Sequence, residues 1–67
     1  MMFYQTVQTP NGPGHILGRA IIDNKPGYLI SHKPNDLPPA IKMMYWFGGP
    51  CVHIYYQESE VNNAPQT

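Results

Sequence analysis

Apolar and polar residues alternate in short stretches along this chain, and turn-forming residues separate the stretches. Residues 3–9 place Phe3 and Val7 on one alternating face with Gln5 between them, which predicts a first strand. Residues 15–22 alternate with a period of two and predict a second strand. The residues of this strand that we expect to point inward are Ile16, Gly18, Ala20 and Ile22.

Turns and loops fill the intervals. Residues 10–14, rich in Pro and Gly, predict a turn, and residues 23–27 predict a hairpin connection because Asp and Asn tolerate left-handed geometry. Residues 28–32 are expected to form the returning strand. Residues 33–40 contain three prolines and predict a stiff, extended loop.

The second half of the chain contains one ambiguous stretch. In residues 41–47, Lys and Met suit a helix while Tyr, Trp and Phe suit a strand, and the short length favours a strand. Residues 51–57 alternate and predict the last strand. Residues 58–61 suit one helical or 3₁₀ turn that places Val61 against the core, and residues 62–67 are expected to be a flexible tail.

These elements predict an all-β fold, a single small five-stranded antiparallel barrel over residues 1–61 with a short terminal helical turn. Gly18 is expected to mark a sharp bend or a close backbone approach, as small barrels require at their corners. On this interpretation, a valine at position 18 would crowd the bend.

Composition limits the function. The 67 residues suffice for one domain with a thin core, and four basic and four acidic residues give a net charge of +0. Such a chain lacks the positive field that non-specific binding to nucleic acid or to an anionic membrane requires. The single cysteine, Cys51, excludes an internal disulfide and fits a reducing compartment. With no apolar stretch of signal or membrane-spanning length, we expect a cytoplasmic protein.

Little in the sequence suggests catalysis or metal binding. Cys51 and His53 share a strand face, but no third metal ligand or activating partner is evident, so we expect no catalytic and no metal-binding residues. Whether His15, His32 and His53 cluster stays open.

Five aromatic residues within residues 45–56 are the most unusual feature. We expect Tyr45, Phe47 and Tyr56 to complete the core, with at least two of them buried. Trp46 and Tyr55 could then form a platform that stacks on a base, a proline-rich peptide or a methylated cation. The binding residues that we expect are Trp46, Tyr55, His53, Arg19 and Tyr45.

Two stretches resemble known small barrels. Gly14-His15-Ile16-Leu17-Gly18-Arg19 resembles the Gly-x-hydrophobic-x-Gly strand of the KOW and Tudor modules, and residues 52–61 resemble their closing strand and turn. The resemblance implies an SH3-like barrel.

A second resemblance involves Val52-His53-Ile54-Tyr55, which is similar to the Val-Gln-Ile-Tyr strand of the plasmid-borne type II dihydrofolate reductases. Gly14 to Gly18 and Pro26 to Ser31 are similar to the strand, turn and strand of that family. The resemblance implies a symmetric oligomer in which Val52, His53, Ile54 and Tyr55 hold NADPH and dihydrofolate.

The sequence thus supports several functions. The first is a non-enzymatic, cofactor-free interaction module, an accessory or regulatory protein that binds a protein partner or another copy of itself through an exposed aromatic face. The alternative is the NADPH-dependent reductase, and weak nucleic-acid binding is a third option.

Overall fold

The computed structural model describes residues 6–63. Its strands are β1 (Thr6–Thr9), β2 (Gly12–Ile22), β3 (Lys25–His32) and β4 (Val52–Gln57). Between β3 and β4 lie a first 3₁₀ turn (Pro34–Asp36) and a helix, α1 (Pro39–Tyr45), and a second 3₁₀ turn (Glu58–Glu60) follows β4. Of the first predicted strand, residues 6–9 are confirmed and residues 3–5 lie outside the described residues. Within residues 6–63, no helix has the length and apolar character needed to cross a membrane.

The fold is mostly β, as predicted. Its four strands form one antiparallel sheet in the order β1-β2-β3-β4, so each strand pairs with its neighbour in sequence. This sheet is not closed, and the described residues hold four strands where five were expected. An isolated bridge connects β1 to the chain beyond β4, since Gln8 N–H donates to the Asn62 carbonyl (3.1 Å) and Asn62 N–H to the Gln8 carbonyl (2.9 Å).

The hairpin between β2 and β3 turns at Asp23 and Asn24. Both residues have positive φ, 53° and 63°, which is the geometry that two-residue hairpin turns require and that Asp and Asn tolerate. The predicted connection is therefore confirmed, although β3 begins at Lys25, earlier than expected.

A β-bulge at Leu17 corrects the predicted inward face of β2. Ile16 pairs with Ile30, but Gly18 pairs with Leu29, so one extra residue lies between the two pairs. A bulge shifts the alternation by one residue. Ile16 faces the core as expected, whereas Gly18 lies on the opposite side, which we call the outer face. Ala20 and Ile22 follow Gly18 to the outer face, so three of the four inward assignments are wrong.

The prediction that a side chain at position 18 would be crowded is also wrong. A Cβ placed on Gly18 would meet no atom within 4 Å. The crowded position is Gly27, where a Cβ would collide with the Tyr56 carbonyl oxygen and lie 2.6 Å from the Tyr55 ring and hydroxyl. The Tyr55 ring covers Gly27, and its hydroxyl donates to the Lys25 carbonyl at 2.8 Å.

The core lies on the inner face of the sheet, under α1 and the two 3₁₀ turns. Its buried apolar residues are Val7, Tyr28, Ile30, Leu37, Val52, Ile54, Tyr56 and Val61. Tyr56 is buried as predicted, but Tyr45 and Phe47 are exposed, so the expectation that at least two of the three aromatics complete the core is wrong.

Residues 41–45 belong to α1, so the prediction of a strand over residues 41–47 is wrong. Pro39 begins α1, where its missing N–H costs no hydrogen bond and its φ suits a helix. The predicted extended loop before it instead includes the first 3₁₀ turn. Ile41 packs against the core from α1.

The turn after β4 agrees with the prediction. It is a 3₁₀ turn, and Val61 behind it is buried. Gln57, which precedes the turn, donates its N–H to the Glu60 carboxylate at 3.1 Å and so caps the start of the turn. Asn62, at the start of the predicted tail, is paired with Gln8, and residues 64–67 lie outside the described residues.

Candidate functional site

The most unusual surface of the protein is a run of five large apolar residues at the end of α1 and in the loop after it. We call residues 43–47 the apolar segment. The exposed fractions of its side chains are 86% for Met43, 63% for Met44, 42% for Tyr45, 40% for Trp46 and 93% for Phe47. Together they expose the equivalent of about three side chains, on the order of 600 Å² at roughly 200 Å² each. The largest single apolar patches on ordinary monomers are about 300–600 Å², so this total is large for a chain of 67 residues.

The backbone around the segment is held by specific contacts. The Trp46 N–H donates the last hydrogen bond of α1, to the Lys42 carbonyl at 2.9 Å. The backbone of Trp46 is extended, so the helix ends there. The indole Nε1–H of Trp46 donates to the Gly49 carbonyl at 2.7 Å, across a turn in which Gly48 has φ of 91°. Since L side chains rarely adopt such φ values, glycine suits this turn. The turn places Phe47 at its exposed tip.

One cation accompanies the segment. The Lys42 ammonium lies 5.7 Å from the centre of the Trp46 ring, a cation–π distance. Residues 43–47 themselves carry no charge. The surface can therefore bury apolar area in a complex without burying a charge of its own.

The structure distributes the predicted binding residues over three surfaces. Tyr45 and Trp46 lie in the apolar segment, while His53 and Tyr55 lie on the outer face of β4. Arg19 lies on the inner face, with its guanidinium 5.7 Å from the centre of the Tyr28 ring and 3.3 Å from Glu58. Trp46 and Tyr55 are not in ring contact, so the described residues do not join them in one platform.

The histidines do not form one cluster. His15 and His53 lie in one cross-strand row of the outer face, each paired with Ser31, which lies between them. His32 lies on the inner face and is fully buried. Among residues 6–63, His, Cys, Asp and Glu side chains do not gather in groups of three or more that could hold a metal ion.

His32 belongs to a buried polar network that the sequence reasoning missed. His32 Nδ1–H donates to the Pro13 carbonyl at 2.8 Å, because a carbonyl oxygen can only accept. His32 Nε2 lies 2.9 Å from the Tyr56 hydroxyl, which also accepts from Asn11 Nδ2 at 2.9 Å. The Tyr56 hydroxyl keeps its own proton, which it can donate to His32 Nε2. The alternation of His32 with Ile30 and Tyr28 was the pattern that could have predicted its burial.

The four residues of the reductase resemblance separate onto two faces. Val52 and Ile54 are buried in the core, and His53 and Tyr55 lie on the outer face. The NADPH-dependent alternative stays a prediction.

No family model, no curated protein and no solved structure matches the chain.

Proposed function

We propose that this protein is a non-enzymatic interaction module that binds a protein partner through the apolar segment. The observation that carries the proposal is the exposure of five consecutive large apolar side chains beside a core that is already formed without them. Apolar surface of this extent has a free-energy cost in water, which a partner would remove.

The chemistry of the segment favours an apolar groove on the partner. Met43 and Met44 are unbranched and can adapt to an irregular surface. Phe47 and Trp46 offer large rigid rings of the type that dominates binding energy in protein interfaces. Because the indole of Trp46 is already hydrogen-bonded to Gly49, binding would order few additional side-chain rotations there.

The architecture that we propose for the module is the SH3-like barrel. The Gln8–Asn62 bridge supports it, because it joins the first strand of the sheet to the chain beyond the last strand. The antiparallel meander of the four described strands is the other supporting feature.

The experiment is photo-crosslinking from the tip of the segment. In one variant, a benzophenone amino acid replaces Phe47. In a control variant, it replaces Asn24, an exposed residue of the β2–β3 turn. We expect a discrete adduct in an extract of the source cells from position 47 and not from position 24. The crosslinked protein is then purified and titrated with the wild-type chain.

Two variants decide the result. Met43→Glu together with Phe47→Ser should weaken direct binding of the purified partner by about a hundredfold, since two exposed anchors are lost. Asn24→Ser should leave it unchanged. Absence of a specific adduct would overturn the proposal, as would binding of the partner by the double variant with the affinity of the wild type. If the double variant instead lost binding to lipid vesicles and not to a protein, the segment would be assigned to a membrane surface and the proposal would also fail.

A further inference from the structure

Two adjacent methionines, Met43 and Met44, present their thioether side chains to solvent in the apolar segment. They are 86% and 63% exposed. Neither belongs to the buried core or to the partly buried residues that pack against it. No other methionine occurs among residues 6–63. Side chains this exposed leave their sulfur atoms open to reagents dissolved in water.

The reagent that matters for a thioether is a peroxide, which converts methionine to methionine sulfoxide. With hydrogen peroxide, the sulfur lone pair attacks one peroxide oxygen, an S–O bond forms and the O–O bond breaks. The sulfur loses two electrons, and the departing oxygen leaves with both peroxide hydrogens as water. The step uses no acid, base or metal from the protein, so an exposed methionine needs no activating neighbour.

Oxidation at these two positions would change the character of the apolar segment. Met43 and Met44 provide nearly half of the exposed apolar surface of residues 43–47. A sulfoxide is polar, and its oxygen accepts hydrogen bonds from water. In an apolar groove that oxygen would have no donor, and burying an unpaired acceptor opposes binding. The two side chains that suit such a groove when reduced would therefore disfavour it when oxidised.

The fold does not depend on these two side chains. Helix α1 packs on the core through Ile41, and its last hydrogen bond runs from the Trp46 N–H to the Lys42 carbonyl. Neither contact involves the side chain of Met43 or Met44. Polar changes at exposed positions away from the core usually alter stability little. Oxidation should therefore change the surface and leave the fold intact.

We propose that Met43 and Met44 form a reversible oxidation site, at which a peroxide removes the apolar character of residues 43–47 and so releases the bound partner. The release of a partner rests on the proposed function, whereas the change of the surface is a property of this chain alone. A methionine sulfoxide reductase would restore the surface. In that step the oxygen leaves as water while two thiols of the reductant become a disulfide.

The test uses the full chain with Cys51→Ser, because the exposed thiol of Cys51 is a second target of peroxide. The chain is treated with dilute hydrogen peroxide and digested with trypsin, which cleaves after Lys42, so that both methionines begin one peptide. We expect the mass of this peptide to rise by two oxygen atoms. The oxidised chain should elute earlier in hydrophobic interaction chromatography, and its thermal unfolding by circular dichroism should be unchanged.

The matched control carries Met43→Leu and Met44→Leu in the same Cys51→Ser chain, since leucine is apolar, of similar size and not oxidised. Peroxide should lower the affinity of the chain with both methionines for the purified crosslinked partner by about tenfold or more. Methionine sulfoxide reductases should restore that affinity. The leucine variant should keep its retention and its affinity after the same treatment.

The outcomes separate this proposal from the proposed function. Unchanged retention of the doubly oxidised chain would overturn the proposal, as would an equal loss in the leucine variant or unfolding of the oxidised chain. Unchanged affinity of the oxidised chain for a partner that the Met43→Glu, Phe47→Ser variant does not bind would also overturn it, with the proposed function intact. If no partner is crosslinked, the proposed function fails and the release with it, while the retention still decides whether oxidation changes the surface.

Discussion

The Tyr56 hydroxyl connects the buried polar network, and removing it tests how the inner face is held together. Tyr56→Phe deletes one oxygen atom and leaves the ring volume almost unchanged. His32 Nε2, fully buried, then loses its hydrogen-bond partner. The Asn11 side chain also loses its acceptor, but its site is partly exposed and water can replace the bond.

The expected loss of stability follows from the buried His32 Nε2 atom that Tyr56→Phe leaves without a hydrogen-bond partner. Leaving a buried polar atom without a partner costs about 1–3 kcal/mol, and we expect about 2 kcal/mol for Tyr56→Phe. A domain of 67 residues has a free energy of unfolding of about 3–10 kcal/mol at 0.05–0.15 kcal/mol per residue. The loss is therefore a substantial part of the total. At about 4–8 °C per kcal/mol for a small domain, the midpoint of thermal unfolding should fall by about 8–16 °C.

The neighbouring tyrosine supplies the control. The hydroxyl of Tyr55 donates to the Lys25 carbonyl on the exposed side of the sheet, so Tyr55→Phe should cost at most about 0.5 kcal/mol. Chemical denaturation followed by circular dichroism measures both variants. Equal stability of the two variants, or a loss below about 0.5 kcal/mol for Tyr56→Phe, would refute the reasoning that a satisfied buried network stabilises this fold.

Two further predictions concern the sheet and the apolar segment. Gly27→Ala should lower the free energy of unfolding by more than about 2 kcal/mol, because the added Cβ collides with a carbonyl oxygen of β4. Gly18→Ala, at an open position, should be neutral or stabilising. Similar losses of stability for the two variants in urea titrations would contradict this prediction. Trp46 is 40% exposed, so its fluorescence should be quenched by iodide in the free protein and protected when a partner covers the apolar segment. Equal quenching in the free and bound protein would place the contact elsewhere.

Local turn chemistry was the most predictable part of this fold. Asp23 and Asn24 adopt the left-handed geometry that their side chains favour, and the 3₁₀ turn after β4 was recognisable from its position before a buried valine. The alternation of β4 was equally clear, and its inner residues are buried as a strand pattern implies. In these places the local sequence and the three-dimensional context favour the same conformation.

The remaining differences arise from interactions between distant residues. The bulge at Leu17 depends on how β2 registers against β3, and a shift of one residue moves every later side chain to the other face. The helix over residues 39–45 depends on packing of Ile41 against the core, which overrides the strand preference of its aromatic neighbours. The candidate site was predictable only in part: Trp46 and Tyr45 were identified, but Met43 and Met44 were assigned to a strand.

The Gln8–Asn62 bridge has a consequence for the order in which the chain folds. β1, β2 and β3 can form hairpin by hairpin from the Asp23–Asn24 turn, and β4 then joins β3 across residues 33–51, which include the first 3₁₀ turn and α1. The bridge instead joins residues from opposite ends of the described chain, and the entropy cost of that closure has to be met before its two hydrogen bonds contribute. It should therefore form late and open early. The amide protons of Gln8 and Asn62 should accordingly exchange with solvent well before those in the middle of β3, although all of them are hydrogen-bonded in the native state.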